Sequence, residues 1–130
     1  MRLKNTTLSG SGSGAFYIEN QPGATLQNLL VNASCSEFSG SPTGLALIDS
    51  GQTIDSTIDF GGGAAGSPGF NKISDNTRSA LVNNYAVAAE NNWWGSPSGP
   101  MAELLGTGTL DSSPLLEREP TGQRGCPPGR

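Results

Sequence analysis

Glu37-Phe38-Ser39-Gly40 is the tetrapeptide that identifies the fold, because similar tetrapeptides occur on both sides of it in the chain. Thr7-Leu8-Ser9-Gly10 precedes it by 30 residues, and Lys72-Ile73-Ser74-Asp75 follows it by 35 residues. Each places one apolar residue among small or polar ones. A nearly constant interval of this kind indicates a repeat architecture. The longer second interval contains the glycine-rich stretch 61–69, which we interpret as a loop insertion.

Two further short strands follow each tetrapeptide at similar offsets. Alternation of apolar and polar residues predicts them at 15–19 and 24–31, at 44–49 and 53–60, and at 79–82 and 85–89. Three short strands per repeat, with no helix between them, are typical of one coil of a parallel β-helix. In such a coil Leu8, Phe38 and Ile73 stack into one apolar column, and Phe16, Leu45 and Leu81 or its neighbour stack into another.

A β-sandwich is the competing fold for a chain with these strands. Its hairpins commonly use Asn-Gly or Asp-Gly turns, and neither dipeptide occurs in this sequence. We therefore expect an all-β parallel β-helix of about three coils, each with three short strands, followed by a carboxy-terminal cap. The coils span 1–100, the cap or side-packing segment spans 101–116, and 117–130 is predicted to be a disordered tail.

Composition supports an all-β fold and excludes several functions. The 130 residues include 19 glycines but only 14% charged residues, which is too few for exposed amphipathic helices. Seven Lys and Arg are scattered at a net charge of −4, so no basic stripe predicts nucleic-acid binding. The longest nearly apolar run, 44–48, is far below the roughly 20 residues of a membrane-spanning helix. No signal peptide is visible after Met1, so the chain is cytoplasmic or its leader lies outside this sequence.

Histidine is absent, which removes Ser-His-Asp and Cys-His catalysis and histidine-ligated metal sites. The two cysteines, Cys35 and Cys126, have no CxxC spacing, so a metal or redox motif is not expected, and a disulfide between them is left open. Lys72 and Arg78 flank Asp75, which favours a local ion pair over a catalytic arginine.

The stretch Asn91-Asn92-Trp93-Trp94-Gly95, with Gly99 and Pro100, resembles the NNWWGxxxGP signature. This signature closes the last coil in right-handed parallel β-helix repeat proteins of the pectate-lyase-like superfamily, many of them bacterial surface or secreted proteins. The stretch 58–71 is similar to the DxGGGxxGSxGxN loop that precedes it in these proteins. The resemblance covers residues 5 to about 115. It implies a right-handed β-helix and an extracellular or cell-surface location.

Two interpretations of Trp93 and Trp94 remain open. The indoles fill the end of the β-helix core and shield its last coil, or one of them is exposed and stacks on a sugar ring.

Asp49, Asp55 and Asp59 form the one carboxylate cluster to test as a metal site. Asp55 and Asp59 are predicted on the outward face of one strand, about 13 Å apart. This separation exceeds the roughly 5 to 10 Å of a glycosidase pair, and calcium is the one cofactor retained as a candidate. We assign no catalytic residue.

The predicted coils lack a cover at the amino-terminal end, since 1–4 is too short to shield an open stack. Either the chain is the carboxy-terminal fragment of a longer solenoid, or two chains cap each other. We expect self-association near Leu3, Leu8, Phe16 and Leu26. The predicted function is a non-catalytic structural or surface-interaction module that binds glycans or assembles with other chains. The alternative is a fragment or remnant of a polysaccharide lyase or hydrolase.

Overall fold

The computed structural model describes residues 1–4 and 6–120, and the regular structure in this part of the chain is entirely β. The strands of the first half are β1 (Arg2–Lys4), β2 (Thr7–Ser9), β3 (Gly14–Asn20), β4 (Thr25–Gln27), β5 (Leu30–Ser34), β6 (Glu37–Ser39) and β7 (Thr43–Asp49). The remaining strands are β8 (Gln52–Ile54), β9 (Thr57–Asp59), β10 (Lys72–Ser74), β11 (Arg78–Asn83), β12 (Ala86–Ala88), β13 (Leu104–Leu105) and β14 (Thr109–Asp111).

These strands form four sheets, and the strand pairs within them are parallel. Sheet A has the order β1-β5-β9-β12-β14, sheet B has β2-β6-β10, sheet C has β3-β7-β11-β13, and sheet D has β4-β8. Each sheet takes one strand from successive repeats, and the four sheets remain separate in their hydrogen bonding. The fold is therefore all-β with parallel sheets, an arrangement compatible with a parallel β-helix.

The register confirms the repeat that the sequence predicts. Leu8 lies beside Phe38 and Phe38 beside Ile73 in sheet B, which we call the first column. The second column, in sheet C, consists of Phe16, Leu45 and Ala80. The spacing predicts Leu81 or its neighbour at this position, and the structure places the neighbour Ala80 there.

The prediction of three strands per repeat is wrong for the first two repeats, which have four. The predicted strand 24–31 is divided into β4 and β5 at Asn28, and the predicted strand 53–60 into β8 and β9 at Asp55. Both residues have a positive φ, 58° at Asn28 and 60° at Asp55. Asn and Asp adopt this left-handed conformation more readily than other non-glycine residues. Asn28 and Asp55 therefore each form a corner at which the chain changes direction.

The core lies between the sheets and contains three phenylalanine rings in mutual edge-to-face contact. The ring centroids of Phe16 and Phe60 are 5.3 Å apart, those of Phe38 and Phe60 are 5.6 Å apart, and those of Phe16 and Phe38 are 6.0 Å apart. Each such contact contributes about 0.5–1.5 kcal/mol beyond its buried area. The cluster joins sheets B and C to Phe60, the residue that directly precedes the glycine-rich loop.

After Glu90 the chain makes a further turn in register with the earlier ones. Trp93 bridges to Lys72 of sheet B, β13 extends sheet C beside β11, and β14 extends sheet A beside β12. The segment 101–116, predicted as a cap or side-packing segment, thus contributes edge strands to two sheets. Residues 121–130, including most of the predicted disordered tail and Cys126, lie outside the described residues. Within the described part, no helix is long and apolar enough to cross a membrane.

Candidate functional site

The signature segment is anchored by Asn92, whose side chain is fully buried. Its Nδ2 donates to the carbonyl oxygens of Phe60 and Ala89, at 2.9 Å each. Its Oδ1 accepts from both the backbone N–H and the Nδ2 of Asn71, again at 2.9 Å. An unsatisfied buried polar group costs about 1–3 kcal/mol. Three of the four bonds therefore tie the signature segment to Phe60 and Asn71, the residues at the two ends of the glycine-rich loop, and only a primary amide supplies these donors and this acceptor together.

Trp94 continues the first column of the core. The backbone N–H of Ile73 donates to the carbonyl of Trp93 at 2.8 Å, and the bridge between Lys72 and Trp93 sets Trp94 beside Ile73. Trp94 is 4% exposed and belongs to the core cluster. Its Nε1 is buried and has no hydrogen-bond partner in the part of the chain that the structure describes. The indole thus covers the last apolar layer of this column.

The two tryptophans differ in what they offer a sugar ring. Trp94 is buried, whereas Trp93 is half-buried. A cleft of about 220 Å³ opens beside Trp94 and is lined by Ser74, Asn76 and Ser79 among others. Because the Nε1 of Trp94 is shielded from solvent, it does not serve as a donor in this cleft. Of the two indoles, that of Trp93 is the one with an accessible surface.

Asp59 does not face solvent, and its predicted outward orientation is wrong. Its side chain is fully buried beneath the glycine-rich loop. One carboxylate oxygen accepts from the backbone N–H groups of Gly61 and Gly63 at 2.9 Å each, and the other accepts from Ser67 N–H at 3.0 Å. These amides replace water around the charge, which is the condition for burying a carboxylate. Asp59 therefore organises the loop.

The other two candidate metal ligands lie in different surroundings. Asp49 is buried, and its Oδ1 accepts from the Nδ2 of Asn20 at 2.9 Å and from Gly51 N–H at 3.2 Å. Asp55 is exposed at the corner between β8 and β9. Among residues 1–4 and 6–120, no group of three or more His, Cys, Asp or Glu is placed to hold a metal ion. Calcium binding by Asp49, Asp55 and Asp59 remains an expectation from the sequence.

A carboxyl pair that sequence reasoning missed joins Glu90 to Asp111. Burial raises the pKa of Glu90, and a side-chain hydrogen bond with Asp111 and the negative charges of Asp111 and Asp59 raise it further. Glu90 also lies over the loop, since a Cβ built on Gly62 would clash with its Oε1. The two acids are distant in sequence, and only the register that aligns Ala88 with Asp111 brings them together.

The basic residues near Ile73 make different contacts from the predicted pair with Asp75. The Nζ of Lys72 lies 2.7 Å from a carboxylate oxygen of Glu119 and 3.5 Å from one of Glu37. The hydrogen bond with Glu119 is the largest cause of a raised pKa for Lys72. The Nε of Arg78 donates to the carbonyl of Ala102 at 3.1 Å. Both cations thus connect the third repeat to other turns of the chain.

The four residues predicted for self-association lie on the four strands that form one end of the sheets. Leu3 in β1 and Leu8 in β2 are half-buried and pack against the core. Leu26 in β4 is half-buried, and Phe16 in β3 is 4% exposed beneath its neighbours. Within residues 1–4 and 6–120, each of β1, β2, β3 and β4 has a partner strand on one side only. This end, which we call the amino-terminal edge, presents unpaired backbone groups and partly covered leucines.

Comparisons of the chain with protein-family models, with curated proteins and with solved structures found no match. The function of the chain is therefore inferred from its own residues and contacts.

Proposed function

We propose that this chain is a non-catalytic right-handed parallel β-helix module, of the pectate-lyase-like kind, that assembles with other chains through its amino-terminal edge. The β-helix is supported by the four parallel sheets and by the in-register first and second columns. The superfamily is supported by the NNWWG segment, and that likeness carries with it an extracellular or cell-surface location.

The observation that carries the assembly proposal is that four strands with one open edge each lie at the same end of the described structure. In sheet B, the carbonyl of Thr6 accepts from Glu37 N–H at 2.8 Å and the N–H of Gly10 donates to Ser39 at 3.3 Å. Because backbone groups alternate in direction along a strand, the N–H of Thr7 points away from β6. An edge of this kind is a template for pairing with another chain.

Sheet D repeats the pattern. The carbonyl of Ala24 accepts from Gln52 N–H at 2.9 Å, and the N–H of Asn28 donates to Ile54 at 2.8 Å. The N–H of Thr25 therefore points away from β8 by the same alternation. Thr7 and Thr25 are exposed, so a change at either one alters the edge with little effect on the core.

The assembly proposal is tested with the double substitution Thr7→Pro and Thr25→Pro. Proline removes the outward N–H groups and is tolerated on edge strands. The matched control, Thr7→Val with Thr25→Val, keeps both N–H groups. In sedimentation velocity at about 50 µM, a concentration that detects micromolar association, we expect oligomers for the wild type and the valine control and monomer for the proline variant. A monomeric wild-type chain would overturn the proposal.

Polysaccharide binding is a second candidate because Trp93 retains an exposed part beside the buried Trp94. A glycan array with the wild type and Trp93→Ala tests it, and an assay with polygalacturonate and calcium separates it from the alternative of a lyase remnant. Binding that is lost in Trp93→Ala supports a glycan module. Calcium-dependent formation of unsaturated product would instead support the enzyme.

A further inference from the structure

The two ends of sheet A carry opposite charges in a single register. Pairwise alignment across the sheet runs from Arg2 to Asn32, then to Asp59, Ala88 and Asp111. Arg2 and Asp111 thus stand at opposite ends of one row of residues, Arg2 on the amino-terminal edge and Asp111 on the far edge strand β14. Both residues are exposed.

We propose that the partner at the amino-terminal edge is a second copy of this chain bound head to tail, with β14 of one copy adding in parallel to β1 of the next and Asp111 lying beside the next copy's Arg2. This inference rests on the proposed assembly function and specifies its partner and orientation. Adjacent strands are about 4.8 Å apart, so the two side chains come within ion-pair distance.

The backbone groups of the two edges match in this register. The carbonyl of Met1 accepts from Asn32 N–H at 2.9 Å, so the N–H and carbonyl of Arg2 point to the open edge. In β14, Thr109 N–H donates to Tyr85 at 2.9 Å and the carbonyl of Asp111 accepts from Ala89 N–H at 2.8 Å, so the groups of Leu110 point outward. In a parallel pair, a residue forms its hydrogen bonds with the two residues on either side of the one that it faces. If Arg2 faces Asp111, Leu110 is one of these two residues.

In sheet C, one row has an apolar residue with accessible surface at each of its two ends. Leu105, 40% exposed, continues the sheet C row of Ile18, Leu47 and Val82, and Ile18 is half-buried on the amino-terminal edge. In a head-to-tail stack Leu105 packs on Ile18 of the next copy.

Sheet B ends in the same way, with an apolar residue at each end of its row. Trp94 closes the first column at one end, and Leu8 opens it at the other. Because Trp94 is only 4% exposed, the sheet C row is the one in which the stack adds an apolar contact.

Charge favours this orientation over one in which two amino-terminal edges meet. The amino-terminal edge carries the exposed cations Arg2 and Lys4. The opposite end carries Glu90 and Asp111, which share a hydrogen bond, and the pKa of Glu90 is raised, chiefly by burial. Among the described residues, Lys72 forms its salt bridges with Glu37 and Glu119 and not with Glu90 or Asp111. An arginine from the next copy supplies a positive charge at this end.

The test uses two charge reversals, Arg2→Asp and Asp111→Arg, and sedimentation velocity at low and high salt. Each variant alone presents like charges at both ends, so we expect its self-association constant to fall about tenfold. In an equimolar mixture, every contact between an Arg2→Asp chain and an Asp111→Arg chain again places opposite charges side by side. We expect the mixture to recover wild-type association, and added salt to weaken the wild type.

Different outcomes overturn the orientation and the assembly itself. Oligomers that grow beyond dimers as concentration rises, with recovery in the mixture, support head-to-tail stacking, because a heterologous contact does not close on itself at two copies. A dimer that Asp111→Arg leaves unchanged overturns the orientation and leaves the amino-terminal edge as the interface. A wild-type chain that remains monomeric overturns both. Far-ultraviolet circular dichroism confirms that each variant remains folded.

Discussion

Single side chains hold this fold together at its corners, where the apolar columns cannot. Asn92, Asn71 and Asp59 are fully buried polar residues whose partners are mainly backbone groups of their own and neighbouring turns. Without them, the carbonyls and amides at the corners would be buried without partners, since corners lie outside the sheet ladders. The polar residues are therefore as much part of the interior as the phenylalanines.

Asn92 gives the clearest prediction for a single residue. Asn92→Ala leaves the carbonyl of Ala89 and the backbone N–H of Asn71 unpaired, while the carbonyl of Phe60 keeps its bond from the Nδ2 of Asn71. We therefore expect a loss of about 2–4 kcal/mol in the free energy of unfolding. Chemical denaturation measures it. The control is Asn91→Gly, because Asn91 has a φ of 61° that glycine adopts without strain. Equal stability of Asn92→Ala and wild type would show that the buried network contributes nothing.

Glu90 predicts a pH dependence of stability. The folded state raises its pKa above the ordinary value of 4.5. A group of this kind favours folding while it is protonated, so its contribution is present at low pH and is lost as pH rises through the raised pKa. We expect Glu90→Gln, which stays neutral, to unfold at a higher temperature than the wild type at pH about 7 and to converge with it near pH 4. Glu103→Gln, at an exposed carboxylate, is the control and should track the wild type.

Among the larger elements, the glycine-rich loop depends on a close approach that a side chain would prevent. A Cβ at Gly63 would lie 2.7 Å from the Cγ of Asp59 and 2.9 Å from the Cβ of Ala88. We expect Gly63→Ala to cost about 1–3 kcal/mol in unfolding free energy. Gly12→Ala is the control because nothing lies within 4 Å of its Cβ. A change below about 0.5 kcal/mol at Gly63 would mean that the loop shifts freely.

The position of Trp94 in the first column predicts that its replacement lowers the free energy of unfolding much more than replacement of Trp93 does. Trp94→Ala creates a cavity at the end of the core, for which we expect a loss of about 3–5 kcal/mol. Trp94→Phe should retain most of the stability, since the indole N–H makes no hydrogen bond. The half-buried Trp93 supplies the matched control, and thermal or chemical unfolding of Trp93→Ala should show a smaller loss. An equal loss for both alanine variants contradicts the placement of Trp94.

The two columns can be predicted from the sequence, because apolar residues at a fixed interval occupy the same position in successive turns and are buried against one another. Leu8, Phe38 and Ile73 are such a case. The corners are harder to predict, because Asp55 reads as one more polar residue in an alternating strand, and only its positive φ divides that strand in two. Asp59 follows the same alternation and is nevertheless buried. The loop that covers it comes later in the chain, and alternation along one strand contains no information about a covering segment.

For the whole molecule, stability is expected to be graded from the middle of the stack to its ends, because each turn is held by its two neighbours. Strands β6, β7 and β9 have partners on both sides, whereas β1 and β4 have one. Native-state hydrogen exchange should therefore show the strongest protection in the central strands and early exchange at β1 and β4. At concentrations where chains associate, protection of β1 should rise. Uniform protection in dilute solution would contradict the graded stack.

The glycine-rich loop also shows where this chain tolerates a change of length. The preceding interval is 30 residues and the interval that contains the loop is 35, yet Phe38 and Ile73 remain aligned as Leu8 and Phe38 are. The extra residues at this corner form a loop outside the sheets, and the strands before and after it keep their register. The corner between β9 and β10 is thus a suitable place to insert a foreign peptide. Gly66 faces solvent, and a Cβ built on it would have open space around it. A peptide inserted there would be displayed at a regular spacing along any stack that the chain forms.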